Sequence, residues 1–183
     1  MSNTNRSLLK LIKQATLCSA LTLSSTFAYS QPPQLNEIQS TYKEVGSAKF
    51  RVLFWDIYQS RLASPSGKYD PDETFLFEIT YLRDIKSKDL IERTIEQWEH
   101  IGLEESQYQG YLGQIQALWP DISKGDKLSM YVTNELTAFY YNDSFRGIVE
   151  DPNFAGDFVA IWLSENTSQP SLRRQLLGEN NAE

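Results

Sequence analysis

The 183-residue chain has one cysteine, Cys18, and one histidine, His100. Zinc sites draw on several Cys or His ligands, so no metal site is expected. A Ser-His-Asp triad would need that same histidine, which sits in a helix-like stretch, and no G-x-S-x-G elbow is present. The nine glycines form neither a phosphate-binding loop nor a dinucleotide fingerprint, so no cofactor is expected. Positive charge is short: 17 Lys+Arg stand against 24 Asp+Glu, a net charge of −7. Nucleic acid, whose phosphates need a basic surface, is excluded as a partner on that ground. The carboxylates are many but scattered. Glu104-Glu105 and Glu150-Asp151 border helices, where capping and the helix dipole account for them.

Long apolar runs are also missing. The longest mostly apolar or small stretch near the N-terminus, Ala15 to Leu23, is far shorter than the roughly 20 residues of a spanning helix. Arg6, Lys10 and Lys13 precede it without any acidic residue, and small residues follow as Thr26-x-Ala28 and Ala28-x-Ser30. This is the pattern of a secretory signal peptide over residues 1–30, cleaved after Ala28 or Ser30, and it implies a periplasmic protein. Leu17 before Cys18 does not fit a lipoprotein signal. Cleavage removes the only cysteine, so the mature chain has no disulfide. It also leaves 14 cations against 24 carboxylates, a net charge of −10. Residues 31–44 read as a polar lead carrying Pro32 and Pro33, residues 45–178 as the domain, and residues 179–183 as a tail.

What the domain does have is aromatic and β-branched density. KFRVLFWDIYQSRL, Lys49 to Leu62, reads as one strand, apolar on both faces or bent partway. After the turn SPSGKYDPD, the alternation Phe75, Phe77, Ile79, Tyr81 predicts its hairpin partner. The period then changes. Leu90, Ile91, Thr94, Ile95, Trp98 and Ile101 trace a helix capped by Ser87, and Tyr108, Tyr111, Leu112, Ile115, Leu118 and Trp119 trace a second that Pro120 ends. Strands return with Leu128, Met130 and Val132, then Thr137 to Tyr141, the turn Asn142-Asp143, and Ser144 to Val149. Asp151-Pro152 opens a helix with Asp151 as cap, and Pro170 opens the last one. Strands joined by short links, with helices in pairs, predict an α+β fold with an antiparallel β-sheet packed against helices.

The remaining chemistry is cations and phenols among apolar residues. Tyr58, Tyr81, Arg83 and Arg146 could receive a carboxylate or phenolate through charge-assisted hydrogen bonds. Trp55, Phe158 and Trp162 are candidate walls of an apolar cleft.

The ordered set VGSAKFRVLFWDIYQSRL, FEITYLRDIKSKDLIERTIEQW, GDKLSMYV, FRGIVEDPNFAGDFVAIWL and LRRQLLG resembles bacterial exported chalcone isomerase-like proteins, over about Val45 to Gly178. The resemblance implies an open-faced sandwich with a ligand cleft between sheet and helices. The family holds plant isomerases that close a flavanone ring and relatives that bind fatty acids. The enzymes carry an arginine before the first strand, where STYKEVGSAKF offers Lys43 and Lys49. They also carry a tyrosine and an asparagine on the first helix, and SKDLIERTIEQW has neither. The expectation is therefore a non-catalytic protein binding a small apolar or amphipathic carboxylate. Two alternatives stand beside it: an intramolecular lyase or isomerase, and an envelope structural or partner-binding protein.

Overall fold

The computed structural model describes residues 34–134 and 136–179. The expected signal peptide, with its expected cleavage points, lies outside them. Pro32–Glu183 form one compact unit, and both hydrophobic clusters lie within it. No helix among the described residues is long and apolar enough to cross a membrane.

Six strands form one sheet in the order β1-β2-β3-β4-β5-β6. They are β1 (Lys43–Val52), β2 (Trp55–Ser64), β3 (Phe75–Tyr81), β4 (Lys127–Val132), β5 (Thr137–Tyr141) and β6 (Ser144–Val149). Every neighbouring pair is antiparallel. Helices α2 (Ser87–His100) and α3 (Glu105–Leu118) are inserted between β3 and β4, and α4 (Phe154–Leu163) and α5 (Pro170–Leu176) follow β6. The α+β architecture expected from the alternation of patterns is the one observed. β3 explains the geometry best. Its Phe75, Phe77, Ile79 and Tyr81 alternate with Leu76, Glu78 and Thr80, so the strand's two-residue period sends the first set to the helices and the second outward. An isolated bridge between Ile85 and Ile122 closes the base of the α2–α3 insertion.

Four local readings are corrected. The stretch from Lys49 to Leu62 is not one strand: it turns at Leu53-Phe54, and its halves pair as β1 and β2, Val52 opposite Trp55. Its two apolar faces are two strands of one hairpin, and period alone does not show a turn that lacks Gly, Pro or Asn. The polar lead, to which the sequence reading assigns no element, contains one. Leu35–Thr41 form helix α1, whose Leu35 and Ile38 bury against Ala63, Leu76, Ala138 and Tyr140 on the sheet's outer face, and β1 already begins at Lys43. Ser87 is the first residue of α2 and not its cap. Its hydroxyl donates to the Trp119 carbonyl at 2.8 Å, and its N–H donates to Asp121 Oδ1 at 2.9 Å. The cap of α4 is Asn153; Asp151 instead accepts the Asn153 N–H at 2.9 Å in the preceding turn. Pro170 does open α5 at its first position.

The outer face holds a buried carboxylate. Glu78 accepts from Arg61 at 2.6 Å and from Gln39 of α1 at 2.7 Å, and Lys127 lies 3.5 Å away. A buried charge of this kind persists only when paired and hydrogen-bonded, so this cluster ties α1 to β2, β3 and β4.

α5 packs on β1 so closely that side chains are excluded. A Cβ on Gly46 would stand 2.1 Å from the Gln175 carbonyl oxygen and 2.6 Å from that of Leu176. Both obstacles are backbone and cannot swing aside. Gly46→Ala is expected to destabilise the domain by about 3 kcal/mol, the upper end of ordinary overpacking, read as a lowered midpoint in urea unfolding.

Candidate functional site

Between the inner face of the sheet and helices α2 and α4 lies a cavity of about 650 Å³. That volume falls within the roughly 300–1,000 Å³ of small-molecule pockets. The sheet supplies Phe77, Ile79, Leu128, Met130 and Phe139, and α4 supplies Phe158, Ile161 and Trp162. Because α4 is apolar nearly all round, seven of its ten residues are buried. Phe158 and Trp162, one turn apart, face the same way, and their rings meet at 5.3 Å. Trp162 also meets Phe77 at 4.8 Å.

Two phenols form one wall. Tyr58 and Tyr81 are direct partners across β2 and β3, with ring centroids 6.3 Å apart. The Trp162 indole N–H donates to the Tyr58 hydroxyl at 2.9 Å. Burial pushes the Tyr58 phenol up to about 12, the Trp162 hydrogen bond opposing it. Burial pushes Tyr81 higher still, with the charge of an ionised Tyr58 adding to it. Both are therefore neutral hydroxyls at any physiological pH. The Trp119 ring also lines the cavity, and its indole N–H is buried with no acceptor among the described residues. Buried donors are nearly always paired, and this indole N–H is an exception among the described residues.

Charge enters the lining at Asp89 and Arg93 of α2. Both side chains belong to exposed residues, so they mark the mouth. Arg93 pairs with Glu96 on its own helix. Thr94, Gln97, Ser129, Ser168 and Gln169 are its uncharged polar lining beside the phenols, with the Ser168 hydroxyl donating to Gln97 at 2.6 Å.

The seven residues singled out from the sequence divide. Tyr58, Tyr81, Phe158 and Trp162 line the cavity. Trp55, Arg83 and Arg146 lie outside its lining. Arg83 is exposed, its guanidinium 4.4 Å above the Trp55 ring. Arg146 falls where the β5–β6 register shifts and donates to the Leu118 carbonyl at 3.4 Å. Sequence proximity to tyrosines is no guide here: Arg146 falls at a register shift, and Arg83 lies past the end of β3. Arg93 was missed. The signal for it was present: Asp89, Arg93 and Gln97 recur every fourth residue along the edge of the apolar stripe of α2, and such residues share a helix face.

These features define an α+β protein with an open-mouthed apolar cavity, neutral phenols within and polar residues at the mouth. The model of the chalcone isomerase-like family matches residues 68–178, and the chain belongs to that family. An uncharacterized protein of Haemophilus influenzae is 27% identical over 139 residues, covering 75% of this chain and 69% of the relative. The crystal structure of the Arabidopsis thaliana fatty-acid binding protein AtFAP1 superposes with a TM-score of 0.58 at 9% identity, covering 76% of this chain and 88% of the other. At that identity the likeness is one of fold.

The raised phenol gives a pH signature. Below pH 10 both folded and unfolded chains keep the Tyr58 proton. Between pH 10 and about 12 the unfolded chain releases it and the folded chain does not, so stability falls as pH rises through that window. Tyr58→Phe is expected to make the fall shallower by about one proton's worth of slope, measured as urea-unfolding free energy from pH 9 to 11.5.

Proposed function

We propose that the chain binds a lipid-like or aromatic carboxylate in the sheet–helix cavity and does no chemistry on it. The observation that carries the reading is the polarity of the cavity. Its body is apolar, its phenols are neutral, and its lining cation, Arg93, stands at the mouth. A carboxylate with a long apolar body fits with its head at Arg93, Gln97 and Ser168 and its body against Phe77, Met130 and Trp162. That orientation avoids burying an unpaired anion, which would cost several kcal/mol. A fatty-acid binding protein of the same fold supports the choice of ligand class. The non-catalytic reading is supported by where the cations lie. A developing phenolate or enolate is stabilised by donors and charges aimed at it; here the Tyr58–Tyr81 pair has Trp162 beside it, while Arg83 and Arg146 lie outside the lining.

Native mass spectrometry and calorimetry with C12–C18 fatty acids test the reading. Arg93→Gln is expected to weaken binding about fivefold, a discounted value for an exposed charge-assisted contact. The matching fatty alcohol should bind wild type and variant alike, because it has no charge to lose. Failure of every fatty and aromatic acid to bind, or turnover of a bound enone, would remove the proposal.

We further infer that the protein acts after export to the periplasm, on the basic and apolar pattern of residues 1–30. Protein recovered from the periplasmic fraction should begin at Tyr29 or Gln31. An intact Met1 in the cell's envelope fraction would contradict this.

A further inference from the structure

The turn joining β1 to β2 is built from large apolar side chains in water. Val52 is 46% exposed, Leu53 82%, Phe54 95% and Trp55 59%. Among the described residues one other large hydrophobic is exposed, Phe145 at 44%. Four of the five thus stand consecutively at one hairpin tip, whereas scattered single exposures are ordinary. The backbone gains nothing from this choice. Leu53 holds a φ of 53°, a left-handed conformation that tight hairpins normally give to Gly or Asn and that a branched side chain adopts only against strain.

We propose that this tip is a wedge that enters an anionic lipid surface and seats the cavity mouth against it. The surroundings of the tip match a bilayer interface. Lys49, Arg51 and Arg83 ring its base against two carboxylates, Asp56, which pairs with the first two, and Asp84, so cations exceed anions by one. Asp84, next to Arg83, is engaged by the Lys124 N–H at 2.7 Å. In a chain with net charge −7 this is a local cationic collar, and such collars are drawn to anionic headgroups. Trp55 lies under the Arg83 guanidinium, pairing an aromatic ring with a cation as residues at headgroup depth do. The tip is also continuous with the cavity. Phe50, Val52 and Ile57 of the same hairpin line it, so a seated tip would put the cavity wall at the bilayer surface. A folded protein partner fits less well, since a stable interface uses about 20–30 residues a side and this protrusion offers four.

The proposal concerns membrane seating; it uses the cavity reading only to say why the mouth is there. It is tested without any cargo, on the compact unit of residues 32–183, which carries the whole described core. Flotation is run with vesicles of phosphatidylethanolamine and phosphatidylglycerol at 3:1, and with phosphatidylcholine alone. The wild type should float with the first, less with the second, and less in high salt as the collar is screened. The double variant Leu53→Asn/Phe54→Ser should lose binding by about tenfold or more, since two inserted side chains are removed. Asn is at ease at a positive φ and both sites are exposed, so an unchanged melting curve is expected. A wild type that ignores phosphatidylglycerol vesicles, or a variant that floats as well as the wild type, overturns the wedge. Capture by envelope membranes but not by protein-free vesicles assigns the tip to a protein and overturns it too. In each case fatty-acid binding by the same samples remains a separate result.

Discussion

Asp157 is the point on which the helical layer depends. Its carbonyl accepts the Trp98 indole N–H of α2 at 2.9 Å, and its carboxylate accepts the Tyr111 hydroxyl of α3 at 2.7 Å. Two helices from the insertion are thereby tied to one residue on the first turn of α4. Phe158 follows in sequence, and Trp98 lies against it at 6.5 Å. Phe154 stacks on Phe158 from the turn before, at 5.5 Å. These ring contacts add geometry to apolar burial, because edge-to-face and offset arrangements are preferred. The outcome is a fixed azimuth for α4. Phe158 and Trp162 are presented to the sheet at a height that leaves the cavity open.

The opposite end of the layer is held by a different device. α5 lies on β1 through the close approach at Gly46, and Gly178, at φ 73°, passes Val45 O where a Cβ would stand 2.7 Å away. Arg173 donates to the Leu163 carbonyl at 2.8 Å and joins the end of α4 to α5. The helices are thus tied to one another at Asp157 and to the sheet at β1, and need not sink into its middle. The Trp162 indole N–H, donating to the Tyr58 hydroxyl, carries a side-chain hydrogen bond from α4 to the sheet. It braces the cavity without filling it. A core closed by hydrophobic contact alone would tend to collapse toward interior density, so rigid struts are the physical condition for an internal space of this size.

Much of this was legible from residue order. The period of two in β3 and the stripes of α2 and α3 are strong because each follows from one buried face, and the inserted helix pair follows from the change of period. The hairpin tip was not legible, because Leu53-Phe54 carries no turn signature and reads as more strand. α1 was missed for a related reason: Leu35 and Ile38 are too few to mark an amphipathic helix, yet they suffice once a sheet face lies beneath them. For the site, the wall was readable and the charged end was not. Tyr58, Tyr81, Phe158 and Trp162 follow from alternation and helix spacing. Whether Arg83, Arg93 or Arg146 meets the cavity turns on a register shift and on the side of a helix edge, which are tertiary facts.

The misplaced arginines change the chemistry as well as the map. With Arg83 or Arg146 inside, the cavity would hold an anion at depth, beside Tyr58 and Tyr81, and could stabilise a phenolate there. With Arg93 at the rim, the depth is neutral. A buried anion there would lack a counterion, and two phenols that burial holds protonated supply hydroxyl groups but no positive charge. Desolvation then outweighs what neutral hydrogen bonds return. The same balance fixes the orientation of any amphipathic occupant, head outward and body inward. In a membrane that is also the arrangement of a lipid, with its charged group at the surface and its chain buried.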